Sequence, residues 1–411
     1  MKRRPVVLVL QPGFPAEVPY YVRGLARQGA RVLGVGDQPT GSLPQPTREA
    51  LTAYLQVPGK VLWHAPSLVD ALRRWDVPIK LDRVECLWEV TMELSAEVRR
   101  AFGLPGLQPD EAVLFRDKNA MRRRLEEAGV RNPRYAKAGS RAEIRAASKS
   151  VGFPMILKPA AGAGSAQTYR VDDAAQLEQV LPAMAGVSEA VLEEFVEGDE
   201  FTFDTLSAGG HFLFTSILRY RPTMLQSRSE EWISPQNMVL RDLSAAPYRR
   251  AHALAEEVHR ALGYERGIAH MEWFLKPDGD VVFGEIAARP PGGMTGELMN
   301  YCCDFDVYEA WAEAVLYGRI SRPIERRYNV AMIFKRAQGH GRIRAVEGLD
   351  TMYRLFGDCV VRHELLPIGA QRRDWKKTLL SDGFVILRHP DLGEATRMSQ
   401  WVAENVRLYA G

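Results

Sequence analysis

Short apolar runs alternate with longer amphipathic stretches along the first hundred residues. The chain reads "PVVLVL" from Pro5, then "AEVPYYVRGLARQGA" from Ala16, then "RVLGVGD" from Arg31. Apolar runs of this length, separated by a stretch with a 3.6-residue period, predict strand, helix and strand. The apolar residues between Val84 and Val90 predict another strand, and Pro105 to Pro109 a linker. This order of elements is typical of an α/β layer built on a parallel sheet.

A second series of elements begins near Phe115. Asp117 is predicted to cap a helix that ends near Gly129. The apolar runs that follow predict strands in "PMILK", "AVLEEFV", "EFTFDTLSA" and "HFLFTSILRY", and the polar stretch 221–241 is predicted to be irregular. The pattern "AAPYRRAHALAEEVHRALG" predicts a helix, and from about Glu325 onward strands and helices alternate again.

A hairpin is the clearest local signal in the chain. In "AHMEWFLKPDGDVVFGEIAAR" two apolar, alternating runs flank the dipeptide Asp278-Gly279, which favours a two-residue turn. Such a turn pairs Phe274 with Phe283, Glu272 with Glu285, and His270 with Ala287. Because side chains alternate along a strand, Phe274, Phe283, Glu272 and Glu285 are expected on one face.

Two carboxylates directly opposite each other on a sheet repel, since their Cβ atoms lie roughly 4.5–5.5 Å apart. One of them can hold a proton, both can reach solvent, or a cation can lie between them. Mg²⁺ prefers oxygen ligands, often one or two carboxylates together with substrate phosphates. From the hairpin alone, an exposed pair at a sheet edge and a metal site both remain open.

Composition narrows the class of protein. The 411 residues are 46% hydrophobic and 26% charged, which is typical of a globular protein with more than one domain. The net charge of +3 gives no general attraction to nucleic acid or to an anionic membrane, so neither is expected as a partner. Arg122-Arg123-Arg124 is the most basic run, and it is predicted to be a solvated helix face.

Targeting and redox signals favour the cytoplasm. The first apolar run ends after Leu10, too short for a signal peptide or a membrane span. The 4 cysteines show no CxxC spacing and the 8 histidines no HExxH motif. Reduced thiols in a cytoplasmic protein without a zinc site are therefore expected.

Upstream of the hairpin, "LKPAAGAGSAQT" places Lys158 at the end of an apolar strand, before the small residues Gly162, Gly164 and Ser165. A loop of this kind can bring backbone N–H groups close to phosphate oxygens, and it can also be a simple tight turn. In "LEEFVEGDE" a buried strand carries acids, so that Glu193 to Val196 could run along an adenine with Glu200 at the ribose. A solvated hairpin is the alternative.

Taken in order, these residues resemble the ATP-grasp superfamily over about Phe115 to Arg319. "GEIAARPPGGM" is most similar to the carboxylate–amine ligase branch, above all L-amino-acid (dipeptide) ligases. The resemblance implies an α/β (α+β) ATP-grasp fold with an N-terminal pre-ATP-grasp Rossmann-like domain and a C-terminal α/β extension. The implied domains are 1–108, a small lobe 109–190, a large lobe with the metal site 191–322, and a C-terminal subdomain 323–411.

The resemblance also implies roles for individual residues. For ATP, Lys118 and Lys158 would bind the phosphates, and Gly164 and Ser165 would lie in the phosphate loop. Glu193 and the backbones of Glu194 and Val196 would contact adenine, and Glu200 would contact ribose. Glu272 and Glu285 would hold Mg²⁺, with Mn²⁺ as an alternative. Ala287 stands where many members have a metal-binding Asn, and His270 opposite it is either a substitute ligand or a core or substrate-facing histidine.

The reaction that the resemblance implies forms an amide or peptide bond. A carboxylate attacks the γ-phosphate of ATP to give an acyl phosphate and ADP, and an amine then displaces phosphate. Arg289 lies on the strand parity of Glu285, so it can hold the acyl phosphate or carboxylate; a salt bridge to a structural acid is the alternative. Arg289 and Lys158 are the residues expected to be catalytic.

The substrate pocket is expected to include Gly292, Gly293, Met294, His270 and the segment from Arg219 to Trp232, which can also be a plain surface loop. Small carboxylate and amine substrates and a homodimer are expected as partners. A carboxylase or nucleotide-biosynthesis ligase, or a nucleotide-binding regulator without turnover, are the alternative functions.

Overall fold

The computed structural model describes residues 3–77, 80–159, 168–378 and 380–411. The N-terminal unit is a four-stranded parallel sheet in the order β3-β2-β1-β4 with helices around it. Its strands are β1 (Val6–Leu10), β2 (Arg31–Gly36), β3 (Leu51–Gln56) and β4 (Arg83–Glu85). Its helices are α1 (Val18–Arg27), α2 (Gln45–Ala50), α3 (Gly59–Leu62), α4 (Ala65–Arg74) and α5 (Met92–Phe102), with 3-10 turns at Thr40–Ser42 and Glu89–Thr91.

A short helical passage leads to a small antiparallel sheet in the order β5-β8-β6-β7. The passage contains α6 (Pro109–Ala112), a 3-10 turn at Val113–Phe115 and α7 (Lys118–Glu127). The sheet and its helices are β5 (Tyr135–Ala138), α8 (Arg141–Val151), β6 (Met155–Pro159), β7 (Tyr169–Val171), α9 (Ala174–Val180), a 3-10 turn at Leu181–Met184 and β8 (Ala190–Glu194).

The largest unit is an eight-stranded sheet in the order β13-β12-β9-β10-β11-β14-β18-β17. Its first part contains β9 (Asp199–Ala208), β10 (His211–Arg221), α10 (Met224–Ser229), β11 (Gln236–Val239), α11 (Ala246–Leu262), β12 (Gly267–Leu275), β13 (Val281–Ala287), α12 (Thr295–Cys303) and α13 (Val307–Tyr317). The remainder contains β14 (Asn329–Phe334), β15 (Gln338–Gly339), β16 (Ile343–Glu347), α14 (Leu349–Phe356), a 3-10 turn at Gly357–Cys359, β17 (Val360–Leu365), β18 (Gly383–His389), α15 (Leu392–Asn405) and β19 (Arg407–Ala410). The strands β15, β19 and β16 form a separate small sheet.

The two faces of the large sheet are buried against different helices. Odd-numbered residues of β9 and β12, among them Phe203 and Trp273, pack in one cluster with α5, α7 and α11. Even-numbered residues such as Leu206 and Ile268 pack in a second cluster with α1, α12 and α13. Further along the same strands, the even-numbered positions are polar, from Asp204 to Glu200 and from His270 to Glu272. The polar stretch therefore lies on the α12–α13 face, beyond the part that these helices cover.

Several predicted boundaries change. The strand expected over 84–90 ends at Glu85, and Glu89–Thr91 is a 3-10 turn. The stretch 221–241 is not wholly irregular, because it contains α10 and β11. The small sheet includes β8, so its boundary falls after Glu194 rather than at residue 190. The large sheet runs across the expected boundary at residue 322, since β14 pairs with β11.

None of the helices in the described parts of the chain is long and apolar enough to cross a membrane.

Candidate functional site

The hairpin β12–β13 brings the two predicted carboxylates together. Glu272 pairs with Glu285 and His270 with Ala287, as predicted. The turn itself differs from the prediction, because Lys276 N–H donates to Asp280 O at 2.9 Å and the loop is three residues long. Such a loop ends in a residue with positive φ, here Gly279 at 84°.

A β-bulge at Gly284 restores the register that the longer loop shifts. Between the loop and the bulge, Phe283 pairs with Trp273 rather than with Phe274, so the predicted Phe274–Phe283 pair is wrong. The extra residue turns Phe283 into the core, where it is 0% exposed, instead of onto the face of Glu285. A side chain at position 284 would place its Cβ 2.9 Å from the Glu272 carbonyl oxygen, which explains the glycine.

The two facing carboxyl groups differ in electrostatics. Burial, followed by the charge of Glu285, raises the pKa of Glu272 to about 7. Burial alone would also raise the pKa of Glu285, but its ion pair with Lys118 lowers it below the usual range. Repulsion in the pair is therefore relieved in two ways at once, by a cation on Glu285 and by a tendency of Glu272 to hold a proton.

Lys118 reaches Glu285 from the first turn of α7. Asp117 caps this helix, as predicted, and its Oδ1 accepts the backbone N–H groups of Asn119 at 2.8 Å and Ala120 at 3.1 Å. These bonds lower the pKa of Asp117. The cap fixes where the helix begins, and with it the position from which Lys118 extends to the hairpin.

The small sheet contributes a second charged group. Lys158, at the end of β6, donates to Glu193 Oε2 at 2.7 Å, and Arg122 Nη1 lies 3.0 Å from Glu193 Oε1. Burial alone would raise the pKa of Glu193, but Arg122 and Lys158 lower it. Both carboxylate oxygens of Glu193 are thus paired with cations, whereas the resemblance assigned Glu193 to the adenine amino group.

Arg122 is a site residue that the sequence analysis missed. It was predicted to lie on a solvated face, but its side chain is only 7% exposed and its guanidinium lies 4.9 Å from the centre of the Tyr135 ring. Arg123 and Arg124 are exposed as predicted. The sequence spacing indicates this position of Arg122, because Lys118 and Arg122 are four residues apart and therefore share one face of α7.

The end of β8 is held in place by the segment before β5. Glu194 N–H donates to Arg134 O at 2.7 Å, and its carboxylate accepts bonds from Arg131 at 3.0 Å and from Arg134. Val196 is buried two residues further on. The backbone beside Lys158 is therefore fixed, while the predicted contacts of Glu194 and Val196 with adenine remain predictions.

Glu200 lies on the same face as the carboxylate pair. It sits opposite Phe274 in the sheet, is 7% exposed, and accepts the Met224 N–H at 2.7 Å. Burial and then the charge of Glu272 raise the pKa of Glu200 to about 8. The beginning of α10 is thus attached to the residue predicted to bind ribose.

His270 is fixed by a buried acid. Its Nδ1 lies 2.6 Å from Asp204 Oδ1, and its Nε2 lies 3.9 Å from Glu272 Oε1. Burial would lower the pKa of His270, but Asp204 raises it overall. The structure therefore brings His270 beside Glu272 with Asp204 behind it, an acid that the sequence analysis did not identify.

Arg289 forms the salt bridge that was the alternative to its catalytic role. Its Nε donates to Glu89 Oε2 at 3.0 Å and its Nη1 to Pro290 O at 2.8 Å. Glu89, in the 3-10 turn of the N-terminal unit, also accepts a bond from Arg116 at 2.6 Å. The carboxylate of Glu89 thereby links the N-terminal unit to the end of β13.

The other predicted substrate residues lie in three places. Gly293 and Met294, with φ of 66° and 63°, form the turn from β13 to α12, and Gly292 O accepts the Thr295 hydroxyl at 2.7 Å. Arg219 pairs with Asp199 at 2.8 Å, next to Glu200. Trp232 is 56% exposed, and Arg372 lies 5.2 Å from its ring, so this tryptophan lies against the C-terminal region. Gly164 and Ser165 lie outside the described residues.

Comparisons with known proteins bear on the family and the fold. The family model for the ATP-grasp domain matches residues 123–297. The L-arginine-specific L-amino acid ligase of Bacillus subtilis is 25% identical over 243 residues, which cover 57% of this chain and 58% of that protein. The formate-dependent phosphoribosylglycinamide formyltransferase of Synechocystis sp. is 30% identical over 253 residues, 59% of each chain.

Among solved structures, the L-amino acid ligase from Bacillus licheniformis superposes with a TM-score of 0.76 over 100% of both chains at 20% identity. Residues 123–297 belong to the ATP-grasp family, and the chain has an ATP-grasp fold. The relatives named above are ligases and a formyltransferase by name. The matched region spans less than two thirds of the length of those curated relatives, at 58% and 59%.

Proposed function

We propose that the protein is an ATP-dependent carboxylate–amine ligase that forms an amide or peptide bond through an acyl phosphate. The observation that carries this proposal is the facing pair Glu272 and Glu285, with Lys118 on one carboxylate. The similarity to two L-amino acid ligases supports amino-acid-like substrates.

A divalent cation fits the pair. Glu272 and Glu285 supply facing carboxylates, and the described residues contain no group of three or more His, Cys, Asp and Glu that could hold a metal. This suits Mg²⁺, which is commonly held by one or two carboxylates together with substrate phosphates. Glu272 and Glu285 would hold the ion, which when bound neutralises charge on the transferring phosphoryl group.

The chain's own cations serve the phosphoryl transfer. Lys118 and Lys158 are already held beside the carboxylates of Glu285 and Glu193, and we infer that both turn to the phosphates of bound ATP. Phosphoryl transfer depends on alignment and on neutralising charge, which fixed cations supply without a covalent nucleophile. Arg289 would exchange Glu89 for the carboxylate of the substrate, because a guanidinium binds either carboxylate in the same geometry.

The amide-forming step needs a dry site. The acyl phosphate hydrolyses in water, and the amine must displace phosphate before water does. The segment that begins at α10 is placed to exclude water, since Met224 N–H bonds Glu200 at its start. At its other end, Arg336 binds the carbonyls of Ser227 at 2.8 Å and Glu230 at 2.8 Å.

A screen of carboxylates and amines tests the proposal. With ATP and Mg²⁺, pairs of amino acids should release ADP and phosphate, and mass spectrometry should detect the condensed product. Glu285→Gln keeps the size of the side chain but removes a ligand charge, and we expect kcat to fall about 10³-fold. Glu265→Gln, at an exposed acid, is the control and should retain activity.

Two outcomes would refute the proposal. Full activity in Glu285→Gln would refute the assignment of Glu285 as a metal ligand. An absence of product with every acid and amine would refute the ligase activity. A second candidate, favoured by the similarity to the Synechocystis formyltransferase, is a nucleotide-biosynthesis ligase. Formate with phosphoribosylglycinamide is therefore included in the screen, and turnover restricted to that pair would support the second candidate.

A further inference from the structure

Three aromatic side chains meet at the carboxyl edge of the N-terminal sheet. Phe14 follows β1, Trp63 follows α3, and Trp88 follows β4, and we call them the aromatic corner. Trp88 meets Phe14 at 4.8 Å and 77°, and Trp63 at 5.9 Å and 76°, so both neighbours stand nearly perpendicular to it. Phe14 is 47% and Trp63 is 44% exposed. Large aromatic surfaces left open at this edge of a parallel sheet are typical of a ligand site.

An acid lies beside the aromatic corner. A methyl group on Gly59 would lie 3.7 Å from Asp37 Oδ2 and 3.8 Å from Trp63 Cδ1, so the acid and the ring border the same small space. Gln11 Nε2 donates to the other oxygen, Asp37 Oδ1, at 2.8 Å. Gln11 is 5% exposed and has a φ of 51°, so a buried and conformationally restricted residue orients the carboxylate.

The aromatic corner is joined to the candidate active site through adjacent residues of the chain. Trp88 is followed directly by Glu89, whose carboxylate binds Arg289 at 3.0 Å. Arg289 is the residue proposed to hold the substrate carboxylate. We infer that a substrate held by Arg289 extends past Trp88 toward Trp63 and Asp37.

We propose that the aromatic corner and Asp37 bind the cationic side chain of an amino-acid substrate, a guanidinium or an ammonium group on an aliphatic stem. This inference rests on the proposed ligase function. Aromatic ring faces attract cations, most strongly when several rings border one site, and Asp37 supplies the opposite charge. An apolar side chain would gain the ring contacts but would desolvate Asp37 without compensation.

Calorimetric titration with free amino acids tests the inference directly. The full chain, saturated with ADP and Mg²⁺, is titrated with L-arginine, L-citrulline, L-leucine and L-phenylalanine. Citrulline has the shape of arginine without its charge, and we expect it to bind about tenfold more weakly. Trp63→Ala should weaken arginine about tenfold, because it removes one ring from the site.

Two variants separate charge from shape. Asp37→Asn keeps the size of the side chain, so it should abolish the preference for arginine over citrulline and leave citrulline binding within about twofold. Tyr353→Ala removes an aromatic residue that is 43% exposed on α14 and should leave arginine binding unchanged. Loss of preference in Asp37→Asn but not in Tyr353→Ala supports the inference.

Other outcomes overturn it. The inference is wrong if arginine and citrulline bind equally, if leucine or phenylalanine binds more tightly, or if arginine binding is undetectable. It is also wrong if Trp63→Ala changes only the oligomeric state, measured by light scattering. Failure of the ligase proposal is distinguishable, because selective arginine binding without any product would refute only the ligase. Product formation without a preference for cationic side chains would refute only the present inference.

Discussion

Two partly buried carboxylates in the candidate site have opposite electrostatic surroundings. Glu193 is 14% exposed and lies between Lys158 and Arg122, and these cations lower its pKa. Glu272 is 28% exposed and faces another acid, and burial with that acid raises its pKa to about 7. Both side chains are only partly exposed to water, but only Glu193 has cations from its own chain on both oxygens.

This difference indicates different tasks. A carboxylate between two cations is already neutralised, so Glu193 positions Lys158 and stabilises the fold around it. A carboxylate that faces another acid is destabilised until a cation arrives, so Glu272 is suited to a ligand rather than to the fold. If this comparison is correct, removing charge at the two places has opposite effects on the free energy of unfolding.

The largest effect is expected at Arg122. Arg122→Ala leaves the Glu193 carboxylate with one partner in a buried place, and we expect the free energy of unfolding to fall by about 3 kcal/mol. Urea unfolding followed by circular dichroism measures this loss. Arg123→Ala, one residue away on the exposed side of α7, is the matched control and should change stability by less than about 0.5 kcal/mol. Equal losses in the two variants would contradict the assignment of Glu193 as a neutralised acid.

A smaller effect of the opposite sign is expected at Glu272. Its folded pKa of about 7 lies above the ordinary 4.5, so the folded protein keeps a proton that the unfolded chain releases. The contribution of Glu272 to stability therefore falls as the pH rises from about 4.5 to about 7 and stays unfavourable above it. Without ligand at pH 8, Glu272→Gln should be more stable than the wild type by about 1–2 kcal/mol.

The pH dependence checks that prediction. The advantage of Glu272→Gln should shrink as the pH is lowered through about 7 and vanish below about pH 4.5, where the wild-type side chain becomes protonated in the unfolded state as well as in the folded state. Glu265→Gln, at an exposed acid, should show no such trend. A Glu272→Gln variant that is less stable than the wild type at pH 8 would show that the carboxylate supports the fold, and the contrast with Glu193 would be lost.

The smallest effect is expected from the bulge that sets the two acids opposite each other. In Gly284→Ala the new Cβ would lie 2.9 Å from the Glu272 carbonyl oxygen, so the strands must move apart slightly. We expect a loss of about 1 kcal/mol in the urea unfolding experiment, together with weaker Mg²⁺-dependent turnover. At Gly41 a Cβ would meet no heavy atom within 4 Å, so Gly41→Ala is the control. A Gly284→Ala variant as active and stable as the control would show that the bulge does not require a glycine.

Local patterns predicted much of this site. Asp117 as a cap, the strands that carry Lys158 and Glu193, and the pairing of Glu272 with Glu285 all follow from residues that are close in sequence. Contacts between distant segments could not be predicted. Arg289 and Glu89 are 200 residues apart, and only the folded chain shows that this ion pair forms.

The Glu272–Glu285 pairing was right for a partly wrong reason. A two-residue turn was assumed, and the structure has a three-residue loop followed by a bulge at Gly284. The longer loop shifts the pairing of the strands by one residue, and the bulge shifts it back, so the predicted pairing holds at the carboxylates. Between the loop and the bulge the shift remains, and the predicted position of Phe283 is therefore wrong. Loop length and bulges depend on packing across the strands, and alternation of apolar residues does not encode either of them.

That cancellation constrains how the hairpin can change in evolution or in design. Lys276 and Asp280 flank the loop, and Trp273 pairs with Phe283 beside the bulge, so removing one loop residue, or Gly284 itself, leaves Glu272 opposite Glu285. Removing one residue between Asp280 and Phe283 would instead absorb the bulge and carry Phe283 out of the core, where it is now 0% exposed. Insertions and deletions are therefore expected in the loop around Asp278-Gly279 or at Gly284, and not in the short strand segment between them.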